Sequence, residues 1–129
     1  MPIYWKIDSR QQLVVATAEG DITRADADSY LDAVAGGGAL AYRKLYDGRA
    51  GNVVMGHDDI MALAYRMRSY HHQPVGALAI VLAGVAEPGK RMLGILATAD
   101  RPIKIFTDLA PARRWIDSLA PAQMTHSEA

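Results

Sequence analysis

The sequence predicts an α/β fold: a mixed, mostly parallel sheet of about five strands, with an N-terminal β-hairpin and about four helices. Three observations lead there. Ile3, Trp5 and Ile7 alternate with Tyr4, Lys6 and Asp8, the period of a strand with one buried face. After the first two strands, strand-like and helix-like segments alternate along the chain, the pattern of right-handed βαβ crossovers in a parallel sheet. The segment 77–83 is apolar at every position, as expected of an interior strand covered on both faces.

The elements follow in order. Ser9-Arg10-Gln11-Gln12 is a polar turn between the first strand and a second over 13–18, so the two form a hairpin that Gly20-Asp21 ends. Thr23 precedes Asp26 by three residues, a capping box with Asp in place of Glu. Ala27, Tyr30, Leu31 and Val34 then recur at helical spacing. Asp26, Asp28 and Asp32 fill the early turns, where negative charge suits the helix dipole. Gly36-Gly37-Gly38 stops this helix. A third strand over 42–47 runs into the turn Asp47-Gly48-Arg49-Ala50-Gly51, followed by a long loop. A second helix opens at His57 or Asp58 and carries Ile60, Leu63, Ala64 and Met67 on one side. Pro88 suits the first position of a helix that continues through Ala99. A strand over 102–106 and a helix over 109–119 follow, with Ala112, Trp115, Ile116 and Leu119 inward. Residues 1–120 make one domain, and 121–129 make a loose tail.

Composition narrows the function. The 129 residues are enough to bury about two thirds of the unfolded chain's surface without staples. Equal numbers of basic and acidic residues, 14 of each, give no surplus positive charge to displace counterions, so a general nucleic-acid binder is not expected. No cysteine is present, which excludes disulfides, thiolate metal sites and thiol nucleophiles. The start lacks the basic and apolar regions of a signal peptide. The longest apolar run is too short to span a bilayer as a helix. The expected location is the cytoplasm.

Candidate sites are few. His57, Asp58 and Asp59 with His71 and His72 are metal-ligand types. On one helix, however, His57 and His71 would lie about 21 Å apart along the axis. No metal site is expected; Asp58 or Asp59 would cap the helix, and the histidines would face solvent. The glycines around Asp47 lie at the carboxyl end of a strand expected to be parallel, where open α/β sheets bind their ligands. No Gly-Lys-Ser/Thr follows, and Asp47, Asp58 and Asp59 would repel a phosphate, so a polar or cationic ligand, or a partner's arginine, fits better than a nucleotide. No nucleophile elbow or catalytic triad context occurs, no cofactor is implied, and no enzyme activity is expected. Residues 1–64 carry a net charge of −3 and residues 65–129 one of +3, which favours self-association. Arg66, Arg68, Lys90 and Arg91 are candidates for a basic patch. Met55, Met61, Met67 and Met92 read as core fillers.

The hairpin start, Leu13 to Gly20 followed by Asp21-Ile22-Thr23, the strand end Leu45-Tyr46-Asp47, the apolar strand, and Ile105-Phe106-Thr107-Asp108 with Ala112, Trp115 and Ile116 resemble SpoIIAA-like proteins. These are small bacterial proteins related to the STAS domain and, more remotely, to the Sec14 lipid-binding fold. The resemblance covers nearly all of residues 3–119. It implies a mixed sheet backed by helices and action as a partner switch, in which a kinase phosphorylates a Ser or Thr before the helix that follows the Asp-ending strand. Here the segment 47–57 contains neither residue. The expected function is therefore a binding module acting through protein–protein contacts, with a protein partner or a second copy of itself, and without that serine. Its candidate binding residues are Asp47, Gly48, Arg49, His57 and Asp58. The alternative, from the Sec14 link, is a carrier of a small apolar ligand or lipid.

Overall fold

The computed structural model describes residues 2–70, 73–83 and 101–120. Strand β1 (Ile3–Asp8) pairs antiparallel with β2 (Leu13–Ile22). Asp8 Oδ1 closes their turn, accepting from the backbone N–H groups of Arg10 (3.0 Å) and Gln11 (3.1 Å). Helix α1 (Arg24–Gly36) follows, then β3 (Arg43–Val53), α2 (His57–Arg68), β4 (Leu78–Val81), β5 (Ile103–Phe106) and α3 (Leu109–Asp117). The sheet order is β1-β2-β3-β4-β5, parallel from β2 to β5, with β1 as the antiparallel edge. This is the expected α/β architecture. Three helices lie among the described residues; the helix expected over 87–99, the pair His71 and His72, and the tail 121–129 lie outside them.

The capping box forms as read. The backbone N–H of Asp26 donates to Thr23 Oγ1 (3.3 Å), and that of Thr23 donates to Asp26 Oδ2 (2.9 Å). The helix ends at the glycines, where the Gly37 N–H donates to Ala33 O (2.9 Å) and Gly38 takes a left-handed φ of 70°. Successive right-handed crossovers stepping the same way put helices on the same face. Accordingly Tyr30 and Val34 of α1 and Ile60 and Leu63 of α2 pack on Ile3, Val14, Ala16 and Ala18. The opposite face packs Leu13, Leu45, Ala79 and Val81 against Ala112 and Ile116 of α3. All four residues of β4 are buried, as its two-sided apolar character predicts. Arg43 ties down the C-terminal end of α3: its Nη1 donates to the carbonyls of Ile116 (3.2 Å) and Leu119 (3.0 Å).

One expectation fails in an informative way. The third strand does not stop at Asp47, and Asp47 to Gly51 is no free turn. Between the pairs Thr17↔Asp47 and Glu19↔Ala50, β2 advances two residues while β3 advances three. The extra residue is a bulge at Gly48-Arg49, after which pairing resumes through Ile22↔Val53. Glycine and aspartate are ordinary signs of a turn, but ten residues of β2 were there to pair with. The same extension carries β2 past the Gly20-Asp21 end that its sequence suggests.

Candidate functional site

The bulge shapes the end of the sheet that the sequence singled out. β4 accompanies β3 only from Lys44 to Asp47. Beyond it, Glu19–Ile22 and Ala50–Val53 form a two-stranded parallel ribbon, on which Glu19, Gly20, Asp21, Arg49, Ala50 and Asn52 are exposed. Paired residues of neighbouring strands share a face, so Glu19, Asp21, Ala50 and Asn52 lie together on the α3 side of the sheet. Asn52 Nδ2 donates to Asp21 Oδ1 there (3.2 Å). Packing is close at the bulge: a Cβ on Gly48 would stand 3.1 Å from Leu82 Cδ2 and 3.2 Å from Tyr46 Cε1, so those side chains would have to give by a few tenths of an ångström.

Asp47 and Arg49 face each other across Gly48. Arg49 Nε donates to Asp47 Oδ1 (2.9 Å), Nη2 donates to Oδ2 (2.8 Å), and the Arg49 backbone N–H adds a third bond to Oδ1 (3.2 Å). This fork holds the Asp47 carboxyl below its usual range, and in turn raises the guanidinium. Asp108, the residue before α3, adds to the rise of Arg49. Thr17, Glu19, Asp47, Arg49 and Ala50 line an open groove of about 350 Å³. Four of those five residues carry polar or charged side chains. Asp47 is thus engaged with an arginine of its own chain.

The remaining candidates sit on α2 and make no hydrogen bond to this pair among the described residues. His57 opens the helix after Gly56, which occupies the cap position without a side-chain bond. Asp58 and Asp59 stand in the first turn, where their negative charge suits the helix dipole, and neither is the cap residue. Ile60, Leu63 and Ala64 are buried, as expected. Met61 (45% exposed) and Tyr65 (77%) lie one turn apart on the outside, with Val54 (44%) just ahead of the helix. Met61 is therefore not a core filler, whereas Met55 is buried. The sequence held the signal: Ile60, Leu63, Ala64 and Met67 fill one helical face, and 61 and 65 fall off it.

Two features escaped the sequence reading. Arg66 is no member of a free basic patch: it bridges the helices, with Nη1 donating to Asp28 Oδ1 (3.1 Å) and Nη2 to Asp32 Oδ1 (2.6 Å). Burial pulls its pKa down, but those bonds and one to Tyr70 outweigh that and raise it. The second is Lys44, 6% exposed, whose Nζ donates to the carbonyls of Leu40 (2.6 Å) and Tyr42 (2.7 Å). Burial, with the charge of Arg101 adding to it, pulls its amine from 10.5 down to about 7. Nothing in the sequence marks a lysine as buried; the parallel register, which sets it between Val14 and Leu78, does. No group of three or more metal-ligating side chains occurs among the described residues.

Solved structures share this arrangement. An uncharacterised DUF3478-family protein with a SpoIIAA-like fold from Shewanella loihica PV-4 matches at a TM-score of 0.59 and 16% identity, over 88% of this chain and 93% of that one. The chain has a SpoIIAA-like fold. An anti-sigma factor antagonist from Mycobacterium paratuberculosis matches at a TM-score of 0.54 and 17% identity, again over 88% and 93%. No protein-family model matches the sequence, and no curated protein does. No helix among the described residues of this SpoIIAA-like chain is long and apolar enough to cross a membrane.

Proposed function

We propose that this SpoIIAA-like chain is a non-catalytic binding module that acts in the cytoplasm through protein–protein contacts. Its surface runs from Asp47 to Asp58 and along α2. One observation carries the reading: Met61 and Tyr65 stand exposed one turn apart on the helix that follows the bulged strand, with Val54 beside its start. Exposed apolar side chains grouped on one helix favour a partner surface. The anti-sigma factor antagonist is by its name a protein directed at another protein, which supports the same class of function. With no Ser or Thr between Asp47 and His57, control by phosphorylation of that segment is not part of the proposal.

Cross-linking in the source cell, followed by native mass spectrometry of gently purified protein, tests it. The expected result is a discrete complex, with a partner or a second copy, cross-linked through α2 and lost in the double substitution Met61→Glu, Tyr65→Glu. Both side chains are exposed, so the fold should survive the change. A bare chain carrying a reproducible small apolar adduct, unaffected by that change, would favour the carrier instead.

A further inference from the structure

The end of the sheet indicates what kind of chain such a module takes. β3 outruns β4: its pairing with β4 stops at Asp47, yet it continues to Val53. From Gly48 onward it has β2 on one side and, among the described residues, no strand on the other. Main-chain groups along a strand point alternately to its two sides, so this stretch offers a row of N–H and C=O groups to an added strand. Proteins usually blunt such an edge with proline or a lysine. The segment Ala50-Gly51-Asn52-Val53 has neither, and Arg49 ahead of it is folded back on Asp47.

The side chains around the edge fix the chemistry of the occupant. A strand added beside β3 would lie about 4.8 Å from it and about 10 Å from β2. A lysine or arginine on its outward face would pass over Ala50, whose methyl group is no obstacle, and reach Glu19 through the groove those residues line. Glu19 and Asp21 are exposed there, and Asp108 adds a third carboxylate beside Arg49. Arg49, the one cation lining the groove among the described residues, is neutralised by Asp47. On the opposite face the added strand meets Gly51 and Val53, with the exposed Val54 next in line. An alternation of basic and apolar side chains matches both faces.

We propose that the β3 edge from Arg49 to Val53 takes up an extended segment of a protein partner, in which basic and apolar residues alternate, as a further strand of the sheet. The proposal rests on the protein-binding reading above and names the partner's local chemistry.

The test uses the full-length chain, labelled with nitrogen-15, and two capped heptapeptides, one alternating lysine with valine and one alternating glutamate with valine. The lysine peptide is expected to shift the amides of residues 49–53, slow their hydrogen exchange and bind less tightly as salt rises. The double substitution Glu19→Lys, Asp21→Lys should weaken it by about tenfold or more. Ala50→Phe, which blocks the path to Glu19, should do the same by steric means. Shifts confined to Met61 and Tyr65 would overturn the edge proposal while leaving a protein-binding surface on α2. Equal binding of both peptides, or binding of neither, would overturn it as well. The protein-binding reading is judged separately, by the cross-linking of α2.

Discussion

The two ends of β3 behave as different materials. From Arg43 to Asp47 the strand has neighbours on both sides, helices over both faces, and side chains such as Lys44 and Leu45 that are sealed from water. From Gly48 to Val53 it has one paired neighbour among the described residues, and small or polar side chains that water reaches. The bulge divides them. The first half is packed on both faces. The second is held by one ladder, with Val53 alone packed on the core around Ile22, and a two-stranded ribbon is marginal on its own. Binding surfaces are commonly drawn from the less stable part of a fold. The site proposed here lies on that part, with the rigid part as its support.

The sharpest way to break this comparison is to cut into each half and compare the losses. Leu45 is 2% exposed and packs against Ala79, Ala112 and Ile116. Leu45→Ala should cost about 2–5 kcal/mol in urea unfolding, the range for a leucine removed from a sealed core. A loss below about 1 kcal/mol would mean that the first half relaxes as freely as the second, and that the contrast is unreal.

Lys44 supplies a prediction in pH. Its folded pKa, about 7, lies below the ordinary lysine value of 10.5, so between those values the unfolded chain binds more protons than the folded one. Stability should therefore rise with pH across that window, at a slope approaching about 1.4 kcal/mol per pH unit. Geometry agrees: a neutral amine has two N–H donors, and two carbonyls receive them. Tyr30 and Tyr46 act in the opposite sense above pH 10. Burial raises both, Tyr46 to about 12, so the folded state keeps protons that the unfolded chain loses. Stability should accordingly peak near pH 10. Denaturant midpoints measured from pH 6 to 11 check this, and Lys44→Met should flatten the rising limb alone. A rising limb that survives in Lys44→Met would show that the amine stays charged in the folded state.

Legibility in the sequence followed the same division. The first half of β3, the capping box of Thr23 and Asp26, the glycine stop of α1 and the doubly buried β4 all rest on local patterns, and each was readable. What escaped depended on register. Asp47-Gly48 has the composition of a turn, and only its pairing with a long β2 makes it a bulge inside a strand. Asp47 and Arg49 were readable as candidates, but not the bidentate pair they form. Glu19 and Ala50 are far apart in sequence and become neighbours only through that shifted register. Lys44 was invisible because charge predicts exposure, and the loop carbonyls that satisfy its amine cannot be seen in a pattern of residue types.

The smallest expected effect is the one that sharpens the contrast most. Asn52 lies five residues beyond Asp47, the last residue of β3 paired with β4, on the exposed ribbon, and its amide donates to Asp21 Oδ1 at 3.2 Å between exposed groups. Asn52→Ala removes that bond but strands no buried atom, because water replaces the amide at the carboxylate. Its effect on the unfolding midpoint should stay within about 0.5 kcal/mol, as for surface changes in general. The same substitution leaves the main chain of the β3 edge intact, so a strand added there should still form its ladder. A loss of several kcal/mol in Asn52→Ala would tie the ribbon into the cooperative core and remove the physical basis for treating it as the adaptable end of the sheet.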